Sequence, residues 1–423
     1  MKVPVLIPRI FDHPHTYLSK KFGKLKTGSI VSVPFGNEEE IGVVWDKEEN
    51  TNKNFKLKDI KEKKSVSLSD KLVKFINWFS LYNLAPKGMV LKMCLGDESF
   101  FSKKKETFDK SLKIKKNFIL NEAQKKCLKD INNLGNKFST TLLQGITGSG
   151  KTIVYFEKIK ENILRGKQSL VLLPEIFLTN QFNQRFEDYF GFKPAIWHSK
   201  ITKKNRRIIW QNIINGKIKL VIGARSSLFL PFKNLGLIIV DEEHDQSYKQ
   251  DEGLIYNARD MAVSRASFEN IPIHLITSIP SLETFKNIKD KKYNHTKISK
   301  RFKNFNLPNT KIINLNLEKM KNKFISDTTF KTIDFYLNKG EQVLFFLNRR
   351  GYAPFLICKK CKYRHTCSKC SIYLTYHKNK NKLICHHCGE IVSTLKICNK
   401  DKKNCEYHMY GPGVEKIYEE LKI

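Results

Sequence analysis

The sequence predicts an α/β protein in which a parallel sheet covered by helices follows a β-rich domain and precedes a cysteine-rich module. Between residues 120 and 305, apolar strand-like runs such as SLVLLPE and LGLIIVDEE alternate with helical segments, the pattern of a doubly wound sheet. Before residue 100, short strands alternate with turns. Eight of the ten cysteines lie between Cys358 and Cys405 in close pairs, which is metal-ligand spacing.

The β-rich domain is expected over residues 1–100. SIVSVPF at 29–35 and IGVVW at 41–45 alternate apolar and polar residues around a Gly-Asn turn, as strands of a half-buried sheet do. Residues 101–119 are rich in Lys and contain no Gly. Such a charged stretch without apolar periodicity predicts a solvated basic linker.

Composition limits the class of protein. A chain of 423 residues has room for two to four domains with cores of their own. The formal charge of +36 favours binding to a polyanion such as nucleic acid, although a Lys-rich genome could produce the same excess. No long apolar run and no signal-like N-terminus occur, and the paired cysteines suit a reducing compartment. We therefore expect a cytoplasmic protein without a membrane segment.

A phosphate-binding loop is predicted between a strand and a helix. The stretch from Gly145 to Thr152 fits GxxxxGK[ST] and follows the strand TTLLQ directly. Its glycines, which include Gly148 and Gly150, let backbone N–H groups approach phosphate oxygens. Lys151 is expected to contact the β and γ phosphates of ATP, and Thr152 to ligate Mg²⁺.

A second part of the nucleotide site is predicted at LIIVDEEHD. Asp241 and Glu242 follow a buried strand, at the edge where doubly wound sheets bind ligands. Asp241 is expected to hold Mg²⁺, and Glu242 to position or activate the attacking water. His244 is expected at the same nucleotide site. Gln124, about twenty residues before the phosphate loop, is a candidate for contacting the adenine edge.

The cysteines predict two zinc ions. Three Cys-x2-Cys pairs and two further cysteines offer eight thiolates: Cys358, Cys361, Cys367, Cys370, Cys385, Cys388, Cys398 and Cys405. An iron–sulfur cluster is the alternative, but a short Lys-rich hairpin between the pairs favours zinc ribbons. The identity of the last zinc ligand is undecided among Cys405, Asp401 and His408. The nearby histidines are interpreted as spectators: His365, His377, His386 and His387.

Taken in order, these motifs resemble the PriA family of replication-restart helicases, also called primosomal protein N′, over nearly the whole chain. The segments that carry the resemblance are LLPEIFLTNQF, IWHSK, VIGARSSLFLPF, DEEHDQSYKQDEG with YNARDMAVSRA, and FLNRRGYAPFLICKKC. The opening region with TGSIVSVPFG resembles the family's N-terminal domain, which recognises the 3′ end of a nascent strand.

The resemblance implies a superfamily 2 motor that moves 3′ to 5′ on single-stranded DNA and helps to load the replicative helicase at stalled forks. Residues 120–305 would be a RecA-like helicase lobe. Residues 306–357 would begin a second lobe, with a helix at DTTFKTIDFYLNKG and a strand at QVLFFLN (342–348), and 358–410 would be a zinc-ribbon insertion before the lobe resumes at 411–423. Forked and single-stranded DNA and primosome proteins would be its partners.

Further candidate contacts to DNA or nucleotide lie within these family segments. Arg225, Arg259 and Arg265 could bind phosphates, and Tyr248 and Tyr256 could stack on bases or sense the nucleotide state. For each of them, a salt bridge or a core ring is the equally weighted alternative.

The sequence departs from the family pattern in three places. The winged-helix domain expected between the N-terminal domain and the motor does not fit into the linker. The family's coupling motif Ser-Ala-Thr-Pro-Ser is replaced by Thr277-Ser-Ile279-Pro-Ser281. This difference puts in doubt the coupling between the nucleotide state and DNA binding. The given sequence ends with GPGVEKIYEELKI, before the family's arginine finger, which contributes roughly three to five orders of magnitude to phosphoryl transfer.

Three functional hypotheses follow. The first is an ATP-dependent DNA helicase of replication restart, impaired by a truncated second lobe. The second is a non-catalytic scaffold that binds fork DNA. The third is one half of a split motor whose remainder is encoded separately. No spare acidic cluster indicates a nuclease.

Overall fold

The computed structural model describes residues 1–46, 57–96, 98–101, 119–174, 180–299, 301, 308–319, 324–360, 362–378, 380–393 and 407–422. The chain divides into two compact units, Met1–Asn306 and Leu307–Ile423. Most of the predicted linker, residues 102–118, lies outside the described residues. Within the described part of the chain, no helix is long and apolar enough to cross a membrane.

The first unit opens with a five-stranded antiparallel sheet in the order β2-β1-β4-β3-β5. Its strands are β1 (Lys2–Leu6), β2 (His15–Leu18), β3 (Ser29–Phe35), β4 (Glu38–Val44) and β5 (Glu62–Ser67). The predicted strand at 29–35 is therefore confirmed.

Two helices follow that were absent from the prediction, α1 (Asp70–Tyr82) and α2 (Lys87–Cys94). The first begins where the Ser69 side chain accepts a hydrogen bond from the Leu72 N–H, an ordinary N-cap. Leu72, Phe75, Ile76 and Phe79 are buried on one face, and their spacing is a helical pattern that the sequence already contained.

The second part of this unit is a seven-stranded parallel sheet in the order β14-β6-β13-β10-β7-β9-β8. Its strands are β6 (Ser139–Gly145), β7 (Gln168–Leu172), β8 (Ala195–Trp197), β9 (Leu220–Gly223), β10 (Leu235–Asp241), β13 (Pro272–Thr277) and β14 (Asn294–Ile298). Its helices are α3 (Glu122–Asn133), α4 (Lys151–Leu164), α5 (Asn180–Phe190), α6 (Lys203–Ile214), α7 (Ala258–Glu269) and α8 (Leu282–Lys289). A two-stranded ribbon, β11 (Lys249–Gln250) with β12 (Tyr256–Asn257), precedes α7. This confirms the predicted doubly wound fold.

The antiparallel and parallel sheets of this unit share one hydrophobic core. The ring of Phe79 on α1 lies 5.2 Å from that of Phe229 and 5.4 Å from that of Tyr256. The indole N–H of Trp210 on α6 donates to the carbonyl of Cys94 at 2.9 Å. The N-terminal domain is therefore packed on the parallel sheet by buried aromatic contacts.

The second unit contains α9 (Asp327–Asn338), which confirms the predicted helix. The predicted strand at 342–348 is wrong, because these residues form no regular structure and Leu344 and Phe346 are 90% and 86% exposed. A strand is stable only when a neighbour satisfies its backbone groups, and no described strand pairs with this segment.

Short strands build the remainder of this unit. They are β15 (Phe355–Cys358), β16 (Thr375–His377), β17 (Lys382–Ile384), β18 (Ile391–Ser393) and β19 (Tyr407–Tyr410), followed by α10 (Val414–Leu421). β16, β17 and β18 form an antiparallel sheet, and β15 pairs with β19. The predicted Lys-rich hairpin between cysteine pairs is the β16–β17 pair.

Candidate nucleotide site and zinc centre

The phosphate loop, Gly145–Thr152, connects the end of β6 to the start of α4. Gly148 and Gly150 have φ of 78° and 81°, the left-handed region that glycine adopts without strain. A Cβ atom on Gly150 would lie 2.3 Å from the side-chain nitrogen of Gln124. The backbone conformation therefore favours glycine at this position, and a Cβ atom there would displace the Gln124 amide.

The side chains of the loop and the adjacent cavity are suited to a bound nucleotide. The Lys151 ammonium donates to the Gly145 carbonyl at 2.6 Å, so it is held over the loop where a phosphate would compete for it. The Ser149 hydroxyl is buried and has no hydrogen-bond partner among the described residues. A cavity of about 620 Å³ is lined by the loop together with Asp241 and Glu242.

Gln124 stabilises the phosphate loop. Its side-chain NH₂ donates to the carbonyls of Ser149 and Gly150 at 3.3 and 3.4 Å, and its carbonyl oxygen accepts the N–H of Asn121 at the start of α3. The side chain is fully buried. Contact with an adenine edge stays a prediction, whereas positioning the loop is a role that the sequence motif did not reveal.

The acidic turn, residues 241–244, begins at the last residue of β10. Asp241 accepts hydrogen bonds from the Tyr155 hydroxyl at 2.9 Å and from the Glu242 N–H at 3.0 Å. Burial and the neighbouring Glu242 charge raise the pKa of Asp241 to about 6, against the effect of these hydrogen bonds. A divalent cation stabilises such a carboxylate, so the pair of Thr152 and Asp241 suits Mg²⁺.

Tyr155 was missed by sequence reasoning. It lies one turn after Lys151 on α4, fully buried, with its hydroxyl on Asp241. The spacing of four residues places it on the same helix face as Lys151, which is the signal that could have identified it.

The coupling loop, Thr277–Ser281, contacts the acidic turn. The His244 imidazole lies 2.7 Å from the Thr277 hydroxyl, and that hydroxyl also accepts the Ile279 N–H at 3.2 Å. The Ile279 side chain is 73% exposed. Thr277 and Ser281, whose hydroxyl donates to Glu243 at 3.0 Å, therefore make hydroxyl contacts between the two segments, and neither contact depends on the side chain at 279.

Several suggested DNA contacts have other roles. Tyr248 and Tyr256 are 1% and 3% exposed, so they are core rings, and base stacking by either ring is wrong for this arrangement. Arg265 is fully buried and donates to the carbonyls of Leu228 and Leu230. Arg265 is therefore a core residue, whereas sensing of the nucleotide state by Tyr248, whose hydroxyl donates to the Asp241 carbonyl at 2.6 Å, or by Tyr256 stays a prediction.

The other two arginines differ from each other. Arg225 lies partly exposed and donates to the Lys249 carbonyl at 2.7 Å. Arg259 is 5% exposed and pairs with Glu243 at 3.3 Å. Glu243 itself received no role from the motif, although it lies inside the acidic turn.

Four cysteines of the second unit come together. The Sγ atoms of Cys367, Cys370, Cys385 and Cys388 all lie within 4.8 Å of one another. Four sulfurs at about 2.3 Å from a tetrahedral zinc ion are about 3.8 Å apart, so the set fits one ion. The N–H groups of Cys388 and His387 lower the pKa of the Cys385 thiol to about 7, whereas hydrogen bonds with Glu390 and Cys388 raise the pKa values of Cys367 and Cys370. The metal assignment therefore rests on the geometry of the four sulfurs.

The second predicted zinc ion lacks a comparable set among the described residues. Cys358 is buried on β15 and separate from the four-cysteine group, and Cys361, Cys398, Cys405 and Asp401 lie outside the described residues. His408 lies on β19 opposite Ile357. The four spectator histidines have other contacts: His365 with the Tyr407 hydroxyl, His377 with Glu415 and with His386, and His387 with the Cys370 sulfur.

A phosphate loop and an acidic turn at the carboxyl edge of a parallel sheet define a P-loop nucleotide-binding lobe. Family comparisons identify it as a RecA-like helicase lobe, since residues 121–278 match the DEAD/DEAH box helicase family. Residues 2–96 match the 3′DNA-binding domain of PriA, and residues 367–391 match the Cys-rich region domain of PriA DNA helicase. Two of the three matched models thus describe PriA domains, and this chain is similar to the PriA family.

Curated relatives extend this similarity along the chain. It is 41% identical to the replication restart protein PriA of Rickettsia conorii over 99% of this chain and 64% of that protein. PriA of Haemophilus influenzae is 41% identical over 67% of this chain and 39% of that protein. A solved structure of RecG bound to a three-way DNA junction matches with 25% identity, 46% and 25% coverage and a TM-score of 0.34. The chain thus spans 64% of the length of the rickettsial relative.

Proposed function

We propose that this chain is an ATP-dependent DNA motor that acts in the 3′ to 5′ direction during replication restart at stalled forks. The observation that carries the proposal is the nucleotide cavity, which brings Lys151 and Thr152 together with Asp241 and Glu242. The first pair follows β6 and the second follows β10, so their meeting is a property of the folded sheet.

The roles of these residues follow from their chemistry. The Lys151 ammonium leaves the Gly145 carbonyl and neutralises the β and γ phosphates of ATP. Thr152 and Asp241 would hold Mg²⁺, which supplies charge stabilisation to the transferred phosphoryl group. Glu242, next to Asp241 in the turn, accepts the proton of the attacking water. The Tyr155 hydrogen bond keeps the Asp241 carboxylate in place.

DNA is the proposed substrate along which the motor moves. The formal charge of +36 supports phosphate binding, and the matched family name describes a 3′DNA-binding domain over residues 2–96. Primosome proteins are the proposed protein partners, and the cytoplasm is the proposed location. Two zinc ions are proposed for the cysteine-rich module, the first of them at the four-cysteine group.

A second candidate is a DNA-binding scaffold or one half of a split helicase. The apolar side chains of residues 343–346 favour the split helicase, because they are exposed without a described strand beside them. A scaffold binds fork DNA without turnover, whereas a split motor requires a second polypeptide that covers this segment.

Steady-state ATP hydrolysis with and without forked DNA tests the first proposal, with Lys151→Ala as the blank. Stimulation by the fork that disappears in the variant supports a motor. Fork binding that is equal in both proteins, without turnover in either, overturns the motor and supports the scaffold. Turnover that appears only when a second polypeptide co-purifies supports the split motor.

A further inference from the structure

Another cavity of the first unit lies where the antiparallel sheet meets the parallel sheet. Its walls come from β4 and α2 on one side and from β8 and α6 on the other. This junction cavity has a volume of about 920 Å³, which is in the range of small-molecule sites. It shares no lining residue with the nucleotide cavity, so it is a separate site.

Apolar side chains form one part of the junction cavity. Trp197, Trp210 and Phe100 contribute aromatic rings, and Met89 and Met93 contribute apolar side chains that adapt to a ligand. The Trp210 ring lies 5.7 Å from the Phe100 ring, and its N–H is bonded to a main-chain carbonyl. The cavity therefore has a preformed apolar surface that suits a planar group.

Three positively charged side chains line the same cavity. Lys92 lies in the last turn of α2, and Lys203 and Arg206 lie on α6. None of the three forms an ion pair with a carboxylate among the described residues, and the Nε atom of Arg206 is buried without a hydrogen-bond partner there. Like charges that share a concave site repel each other, so an anion in the cavity would stabilise all three.

The acidic residues that line the cavity already have partners. Glu40 accepts a hydrogen bond from the Arg9 Nε at 2.8 Å, and Glu39 pairs with Lys61. These pairs leave the three cations of α2 and α6 as the uncompensated charge of the cavity. Its charge therefore favours an anionic ligand.

The location of two of these cations is unfavourable for the helix that carries them. α6 begins at Lys203, and its first turn contains no acidic residue. Because the helix macrodipole places partial positive charge at this end, Lys203 and Arg206 lower the stability of α6 there. The two cations therefore indicate a role in binding rather than in helix stability.

Arg206 connects the charged and the apolar parts of the cavity. Its guanidinium lies over the Trp197 ring, with 5.4 Å between the Cζ atom and the ring centroid. A guanidinium stacked on a ring keeps its N–H groups available for phosphate at the edge of a flat surface. A ligand that combines a phosphate with a planar, largely apolar group is a nucleotide.

We propose that the junction cavity binds a nucleotide, with its phosphate among Lys92, Lys203 and Arg206 and its base on the apolar side chains. An unpaired residue of a DNA strand and a free nucleoside phosphate share this chemistry. Two of the three cations lie outside residues 2–96, so the site extends beyond the matched 3′DNA-binding domain. With a strand as the source, the inference rests on the proposed DNA binding and specifies a further subsite for it.

The test compares two double variants of the full chain. Lys92→Gln with Lys203→Gln, the cavity variant, removes two exposed charges from the cavity. Lys74→Gln with Lys204→Gln is the matched control, because it removes two exposed lysines from α1 and α6 that do not line the cavity. Both are made in a Lys151→Ala parent, so that the phosphate loop does not contribute to nucleotide binding.

Two ligands distinguish the two sources of the nucleotide. Binding of thymidine 5′-monophosphate is followed by tryptophan fluorescence, and binding of a short labelled oligo(dT) by fluorescence anisotropy over a range of salt concentrations. We expect the cavity variant to bind oligo(dT) about tenfold more weakly than the parent. The slope of log affinity against log salt should fall by about 1.4, from about 0.7 for each cation removed. The control should stay within about twofold of the parent.

The outcomes separate this inference from the proposed function. Binding of the monophosphate that only the cavity variant loses identifies a site for a free nucleotide, and a loss confined to oligo(dT) identifies a strand subsite. Equal effects of the two double variants overturn the inference, because only the overall charge then matters. A parent that binds oligo(dT) with an affinity that neither double variant changes also overturns the inference alone. A parent that binds neither ligand overturns the proposed DNA binding and the inference together.

Discussion

His274 makes the stability of the first unit depend on pH. It lies on β13 with 2% exposure, and neither ring nitrogen has a hydrogen-bond partner in the described part of the chain. Its neighbour across the β6–β13 pair, Thr141, has a buried hydroxyl that likewise lacks a partner there. Burial, assisted by the nearby Lys158 charge, lowers the pKa of His274 from 6.5 to about 3.

The direction in which stability changes with pH follows from proton uptake by the unfolded chain. Below pH 6.5 the unfolded chain takes up a proton on His274, whereas the folded chain stays neutral down to about pH 3. Stability is therefore fully present above pH 6.5 and falls as the pH drops towards 3. At pH 5 the loss from this residue is about 2 kcal/mol, since each unit of pKa difference is worth about 1.4 kcal/mol.

The perturbation is His274→Leu, measured by urea unfolding at pH 7.5 and pH 5. We expect the free energy of unfolding of the variant to exceed that of wild type by about 1 kcal/mol at pH 7.5, because a buried polar group without a partner is removed. This difference between variant and wild type should grow by about 2 kcal/mol at pH 5. Thr141→Val is the matched control, and it should shift stability equally at both pH values because a hydroxyl does not titrate. An advantage of His274→Leu that is the same at both pH values would refute the reasoning.

Three further predictions address the two candidate sites. Tyr155→Phe should lower kcat for ATP about tenfold or more with a small change in unfolding midpoint, because Asp241 loses a hydrogen bond to a charged group; equal turnover in both proteins would exclude a positioning role. Gly150→Ala should abolish binding of a fluorescent ATP analogue, whereas Gly166→Ala, with a similar positive φ but no atom within 4 Å, should bind normally. Mass-spectrometric metal analysis should find two zinc ions per chain, and Cys385→Ser should remove one of them; an unchanged zinc content would place the ion elsewhere.

The sequence alone determined those features whose signal is local. The phosphate loop was predictable because its glycines, Lys151 and Thr152 are consecutive and their backbone geometry depends on residue type. The parallel sheet was predictable because strands buried on both faces are continuous apolar runs, as β10 is. The Cys-x2-Cys pairs were predictable because their spacing suits one metal ion, and the structure brings two of the three pairs together.

Only the tertiary structure decided which polar and aromatic side chains face solvent. Tyr248 and Arg265 have the residue types of DNA contacts, yet both are buried, because helix and strand packing rather than residue type determines exposure. The exposed segment around Leu344 has the composition of a strand but no partner among the described strands. The contacts of Glu243 with Ser281 join residues 38 positions apart, and a distance along the chain of that size leaves no periodic or spacing signal in the sequence.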